Sequence, residues 1–217
     1  PPRSPASPTT SRRRRSNRAK TPATSSSSAG APPSARSPRP CSAPAAPGAK
    51  AGALRVALGL FIVAIGLHLG LAAGYGYNGD ELYFLACGRR LAFGYVDHAP
   101  LVPWIARASS ELLGDSLYAL RLAPALARGL AVVLTVLLVQ RWGGRTFAQL
   151  VAGLAVLFAP AFLRMGSVLC IPVFEPLFWT GCSYLVVKAI EEQRPKLWLA
   201  VGALAGLGLL NKHTMLL

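Results

Sequence analysis

The chain has 217 residues, of which 53% are hydrophobic and only 14% charged, and its formal net charge is +15. That balance excludes a single soluble globular domain and fits a polytopic membrane protein. The charge is also confined: the first 55 residues hold 11 of the 23 Lys and Arg and no acid, whereas the rest has 12 basic against 8 acidic residues, so no nucleic-acid partner is expected.

Residues 1–52 are rich in Pro, Ser and Ala, carry "RRRR" at Arg12 to Arg15 and show no apolar periodicity. They read as a disordered basic tail whose charge sets topology from the cytoplasmic side. The chain opens on Pro1 and closes on Leu217 within an apolar run, which reads as a fragment. Cys41, Cys87, Cys170 and Cys182 form no C-x-x-C pair and have no His at zinc spacing, so neither a metal knuckle nor a disulfide framework is expected.

Residues 53–217 read as the membrane domain. Leu54 to Ala73 is a first span of membrane length, too long for the core of a signal peptide. Gly66, Gly70 and Gly74 follow the small-residue spacing that lets helices approach in lipid, as do Gly202 and Gly206, and packing within one bundle is the simpler reading of both. The uncharged run ends at Asp80 and Glu81. A loop, 74–115, follows. Its segments from Asp80 and from Leu101 have amphipathic helical spacing, with "YVDHAP", Tyr95 to Pro100, as the turn between them. "GYGYNG", Gly74 to Gly79, matches G-x-G-x-x-G but follows a membrane helix, not a strand, so no nucleotide site is assigned.

Leu117 to Gln140 is the second span, with Arg121 and Arg128 near an interface or facing the bundle interior. Thr146 to Ala159 is a short third, the proline-broken Pro160 to Pro172 a loop or re-entrant connection, Val173 to Ile190 a fourth, and Leu197 starts a fifth. The basic tail sets the amino terminus inside, and alternation then puts "RWGGR" (Arg141 to Arg145) and the Lys188 to Lys196 stretch inside as well. Loop 74–115, with five acids against three arginines, lies outside. The expectation is an all-α, multi-pass bundle in the plasma (inner) membrane, with its working face on the outer, periplasmic side.

Charged residues converge on that face. Asp80 and Glu81 open the outer loop, Glu175 opens the fourth span beside Pro176, Lys212 lies near the outer end of the fifth, and Arg164 sits in the outer connection. An acid there can take a proton from an attacking hydroxyl or amine. A cation at the membrane edge can hold a phosphate whose lipid tail stays in the bilayer. The simplest alternative for the acid pair is helix capping.

"GDELYFLACGRRLAFGYVDHAPLVPWIAR", "FEPLFW" and "GLGLLNKHTMLL" resemble, in that order, the bacterial GT-C membrane glycosyltransferases of glycosyltransferase family 39. These are relatives of protein O-mannosyltransferases and of the lipid A aminoarabinose transferase. The likeness covers about residues 54–217. It implies a polyprenyl-phosphate sugar donor, an acceptor that is a glycan, a lipid or a protein, catalysis outside the membrane and inversion at the sugar carbon. It implies Asp80 as the base with Glu81 as its catalytic neighbour, and Lys212 beside the donor phosphate. Glu175, Arg164, Asn211 and His213 are further candidates for that donor pocket. Many relatives carry Asn or Asp shortly before "FEP", where this chain has Cys170 to Val173, which leaves the second acidic position to Glu175. No metal ligand is assigned, and a divalent metal is the one cofactor left open. The alternative from another class is a transporter using Asp80, Glu175 and Lys212 as a relay.

The orientation is testable in intact cells. A cysteine placed at Ser110 in loop 74–115 should react with a membrane-impermeant maleimide before the cells are opened; labelling only after lysis reverses the topology.

Overall fold

The computed structural model describes residues 47–72 and 74–216. The tail read for residues 1–52 falls mainly outside them, as does Cys41. Among the described residues, eight α-helices follow in order: α1 Pro47–Ala72, α2 Gly79–Gly88, α3 Leu101–Leu113, α4 Leu117–Arg141, α5 Thr146–Phe158, α6 Pro160–Gly166, α7 Glu175–Glu192 and α8 Lys196–Asn211. Short 3₁₀ turns cover Ile171–Val173 and His213–Leu216, and no strand occurs among the described residues. The fold is all-α, as the apolar spans predict.

The span count differs from five. Among the described residues, two helices are long and apolar enough to cross a membrane, α1 over Ala51–Ala72 and α4 over Leu117–Arg141. Together α5 and α6 can supply a third, bent by 62° between Phe158 and Pro160. The helix α8 is apolar but short, at 16 residues. The helix α7 forms where the fourth span was expected, but Glu175, Lys188, Glu191 and Glu192 make it too charged to count by composition.

Helix ends follow local chemistry. Asn78 caps α2 through its side chain, and Glu81 returns a bond to the Asn78 N–H, closing a capping box. Ser116 caps α4 by accepting from the Ala119 N–H at 3.1 Å. Gly114, at φ +82°, ends α3 in a conformation that only glycine adopts without cost. Pro176 occupies the first turn of α7, where a missing N–H costs nothing.

The helix α4 lies between two clusters. On one side Leu120 and Ala127 pack with Phe84 of α2, Val102 and Ala106 of α3, and Leu169, Val173, Phe174 and Phe178 around the start of α7. On the other, Val132 and Val136 pack with Ala57, Leu60 and Ala64 of α1 and Leu157 of α5. Glycines permit the close approaches, but not the ones expected. A Cβ at Gly129 would lie 2.7 Å from the Phe61 ring, and one at Gly181 2.7 Å from Leu204. At Gly66, Gly70, Gly202 and Gly206 an added Cβ meets nothing within 4 Å among the described residues. The spacing read as bundle packing therefore faces away from the bundle described here.

Both arginines of the expected second span, Arg121 and Arg128, are buried within the bundle. Arg128 is 1% exposed, stacks 4.3 Å above the Phe162 ring and donates to the Val156 carbonyl at 3.2 Å. Arg121 is taken up below. At the end of α4 Arg141 pairs with Glu191 and Glu192 at 2.7 and 2.9 Å, which fixes the carboxyl ends of α4 and α7 side by side. The opposite end of the bundle then gathers the end of α1, the α2–α3 hairpin, the starts of α4 and α7 and the end of α8.

Candidate functional site

The acid pair divides at once. Asp80 and Glu81 are adjacent in the first turn of α2, so their side chains leave the helix about 100° apart. Asp80 points to solvent and its side chain holds no partner among the described residues. Glu81 is 0% exposed. Its Oε1 accepts from Arg121 Nε at 2.8 Å and the Leu169 N–H at 3.2 Å; its Oε2 accepts from Arg121 Nη2 at 2.8 Å and the Asn78 N–H at 2.9 Å.

Arg121 is equally committed. It is 2% exposed, and beyond the two bonds to Glu81 it donates to the carbonyls of Ala72 at 2.7 Å, Tyr75 at 3.1 Å and Gly76 at 2.7 Å. All five guanidinium N–H groups are used. Burial pushes the Glu81 carboxyl up, but the Arg121 guanidinium and the Asn78 and Leu169 amides outweigh it and hold Glu81 below its ordinary 4.5. The capping role weighed for the acid pair thus belongs to the side chains of Asn78 and Glu81; Asp80 enters it only through its N–H, which donates to Asn78 Oδ1 at 3.3 Å, and its carboxylate takes no part.

A second layer fixes the outer face of α2. Tyr83, one turn after Asp80, donates to Asp97 Oδ1 at 2.8 Å. That bond raises the phenol to about 12. His98 is buried, stacked on Tyr95 at 4.7 Å and flanked edge-on by Tyr83 and Phe84. The Tyr95 hydroxyl donates to the carbonyl of Cys87 or Arg90, each 3.0 Å away. The turn read from "YVDHAP" is therefore a clamp on α2.

The third group forms where α8 meets α7. Lys212 is the C-cap of α8 in extended backbone, and its Nζ lies 3.0 Å from Glu175 Oε1. The Thr214 hydroxyl donates to the same oxygen at 2.9 Å. The Lys212 side chain remains 43% exposed despite this pair. Asn211 is 1% exposed; its Nδ2 donates to the Ile171 carbonyl at 3.1 Å, and its Oδ1 is buried without a partner among the described residues. His213 is exposed. Arg164, on α6, is exposed and makes no ion pair among the described residues.

One short segment connects the groups. Leu169 bonds Glu81, and Ile171 bonds Asn211. Those positions are at most roughly 7 Å apart along the chain, and α7 begins at Glu175 shortly after. The structure thus brings Glu175, Lys212 and Asn211 together, ties Glu81 to the same segment, and leaves Arg164 and His213 outside the contacts. Among the described residues no three His, Cys, Asp or Glu side chains are arranged to hold a metal ion. Sequence reasoning missed Arg121 as the partner of Glu81. An arginine in an apolar span was the signal available, but a partner 40 residues away was not. Thr214, Tyr83 and Asp97 gave no signal beyond their residue types.

The family of dolichyl-phosphate-mannose-protein mannosyltransferases matches the chain over residues 97–217. The chain is also 30% identical over 115 residues to undecaprenyl phosphate-alpha-4-amino-4-deoxy-L-arabinose arabinosyl transferase 1 of Pseudomonas fluorescens, a stretch that is 50% of this chain and 21% of that protein. The chain thus spans about a fifth of that relative's length. No solved structure matches it.

Breaking a buried pair leaves the survivor charged and unpaired, at a cost of about 3–5 kcal/mol. Arg121→Ala should lower unfolding stability by that order, measured by denaturant titration in detergent. Arg121→Lys should recover only part, since an ammonium has three donors against five. Because Glu81 is held low, its contribution is present above pH 4.5 and fades as pH falls below it through the folded value. A melting midpoint followed from roughly pH 6 to pH 3 should drop in the parent and drop less in Glu81→Gln; an equal drop in both detaches the acid sensitivity from this pair.

Proposed function

Because the chain belongs to the dolichyl-phosphate-mannose-protein mannosyltransferase family, we propose that it carries one side of the active site of a membrane glycosyltransferase. The enzyme moves a sugar from a polyprenyl-phosphate donor to an acceptor at the outer face of the membrane. The name of the arabinosyl transferase relative, which includes an undecaprenyl-phosphate sugar, supports the donor class. The observation that carries the reading is the split of the acid pair: Glu81 is locked by Arg121, and Asp80 is held beside it with its carboxylate free.

In this reading Asp80 is the general base. It accepts the proton of the acceptor's hydroxyl or amine as that atom attacks the anomeric carbon. The bond to the donor phosphate breaks on the opposite face, so configuration inverts, and the polyprenyl phosphate leaves with the electron pair. Glu81 positions α2 and does not react, since each of its oxygens already accepts two bonds. Lys212 holds the donor phosphate by charge. Glu175 would repel a phosphate, so its part is to orient Lys212 through the 3.0 Å ion pair, with Thr214 as support. Asn211 fixes the end of α8 against Ile171. Arg164 and His213, exposed and without an ion pair among the described residues, are further candidates for the same phosphate once donor is bound.

Two substitutions test these roles in the full-length protein. General-base catalysis contributes about 10²–10⁴-fold, so Asp80→Asn should lower kcat at least about 100-fold while donor affinity holds. Sugar transfer at the parent rate removes the base assignment. Lys212→Ala removes a charge-assisted contact of about 1.5–3 kcal/mol and should weaken donor binding roughly 10- to 100-fold. Unchanged donor affinity, with lowered thermal stability, assigns Lys212 to the Glu175 pair alone.

A further inference from the structure

The outer hairpin encloses a cavity that neither the acid pair nor the Lys212 group uses. Its volume is about 460 Å³, within the roughly 300–1,000 Å³ typical of small-molecule sites. It runs along α2, from Tyr77 just before the Asn78 cap to Arg89 just after the last turn, about 15 Å of helix. The floor is apolar: Leu85 of α2, Ala106 of α3 and Leu120 of α4. Leu120 immediately precedes Arg121, and Leu85 lies one turn beyond Glu81, so the cavity is built on the back of the ion pair that holds Asp80 in place.

The walls are held rigidly. At Gly88 the helices α2 and α3 touch so closely that a Cβ would lie 3.1 Å from the Pro103 carbonyl oxygen and 3.3 Å from the Arg107 nitrogen. Arg107 and Glu111 line the cavity but satisfy each other, with Arg107 Nε 2.6 Å from Glu111 Oε1. Arg89, Asp115, Ser110 and Tyr77 line it too, and their side chains have no partner among the described residues. The cavity therefore offers one free cation, one free carboxylate, two free hydroxyls and an apolar floor. The cation calls for one anionic group. The carboxylate and hydroxyls call for a ligand rich in hydroxyl donors. The floor and the Tyr77 ring suit the C–H face of a pyranose. The lining comes from α2, α3 and the start of α4 and includes nothing from α7 or α8, where the donor phosphate is assigned.

We propose that this cavity is a subsite for a sugar bearing a single anionic group, on the acceptor side of the reaction. Arg89 takes the anionic group, and Asp115 and Ser110 take ring hydroxyls. Tyr77, at one end of the lining, stands three residues before Asp80 in the chain. The acceptor role rests on the transferase reading; the binding itself does not.

The test uses the full-length protein in nanodiscs without donor, with binding of glucose 6-phosphate, glucuronate, glucose and inorganic phosphate read by equilibrium titration. One or both anionic sugars should bind saturably, and which one identifies the group as phosphate ester or carboxylate. Arg89→Gln should weaken that binding about tenfold or more while leaving the weaker binding of glucose unchanged. Asp115→Asn should weaken both. Ser110→Trp, which fills the cavity from α3, should abolish binding at an unchanged melting midpoint. Inorganic phosphate binding as tightly as the sugar phosphate, absence of saturable anionic-sugar binding, or affinities unmoved in Arg89→Gln and Asp115→Asn each overturn the proposal. The two readings fail separately. Anionic-sugar binding without Asp80-dependent transfer removes the catalytic assignment alone, and Asp80-dependent transfer without such binding removes the subsite alone.

Discussion

The rest of this end of the molecule depends on the bidentate pair between Glu81 and Arg121. Its value is not the Coulomb attraction alone, because removing two charges from water offsets much of that gain. Its value is that every donor and acceptor in it is used. Arg121, on α4, holds the carbonyls of Ala72, Tyr75 and Gly76 where the chain leaves α1. Glu81, on α2, holds the Asn78 amide at the helix cap and the Leu169 amide ahead of α7. Four separate segments are thereby fixed to one planar contact. Between α1 and α2, the carbonyls of Tyr75 and Gly76 are thereby held as the remaining acceptors of the guanidinium.

That constraint explains how two adjacent acids have opposite fates. A helix turns about 100° per residue, so only one of a neighbouring pair can face Arg121. Glu81, with the longer side chain, is drawn in and its charge is balanced. Asp80 is left at the surface with its position set by its neighbour's bonds. A carboxylate that is both free and fixed suits proton abstraction, whereas a buried, fully bonded one suits support. The same logic recurs at the end of α8, where Glu175 and Thr214 hold one side of Lys212 and leave the other open.

The helix α4 joins these features to the bundle. It is packed on two sides, by Leu120 and Ala127 toward the hairpin and by Val132 and Val136 toward α1 and α5. Its two buried arginines differ in kind. Arg121, near the start, meets a carboxylate and three carbonyls; Arg128, two turns further in, meets a ring face and a single carbonyl. The polar contacts are thus densest at the start of α4 and thin out toward its middle. That gradient places the rigid, hydrogen-bonded part of the molecule at the end where the acid and the lysine are exposed.

Much of this was legible in the sequence because it is local. Apolar length marks α1 and α4, period-3.6 spacing marks α2 and α3, and Pro160, Pro172 and Pro176 mark the breaks around α6 and the start of α7. The basic first 55 residues and the abrupt end of the apolar run at Asp80 are likewise properties of neighbouring residues. Even Glu175 and Lys212 were identifiable one by one, since charge beside or within an apolar helix has few explanations. Partnership was not legible. Glu81 meets Arg121 across 40 residues and Leu169 across 88, and Lys212 finds Glu175 only because α7 and α8 fold back on each other. Nor could spacing alone say which glycines touch: Gly66 and Gly70 keep the motif but face open space, while Gly129 and Gly181, outside any motif, receive neighbouring side chains. Residue type and period dictate which segments become helices and which groups must be satisfied. Only packing decides which group satisfies which, because that choice depends on helix rotation and approach between segments far apart in the chain.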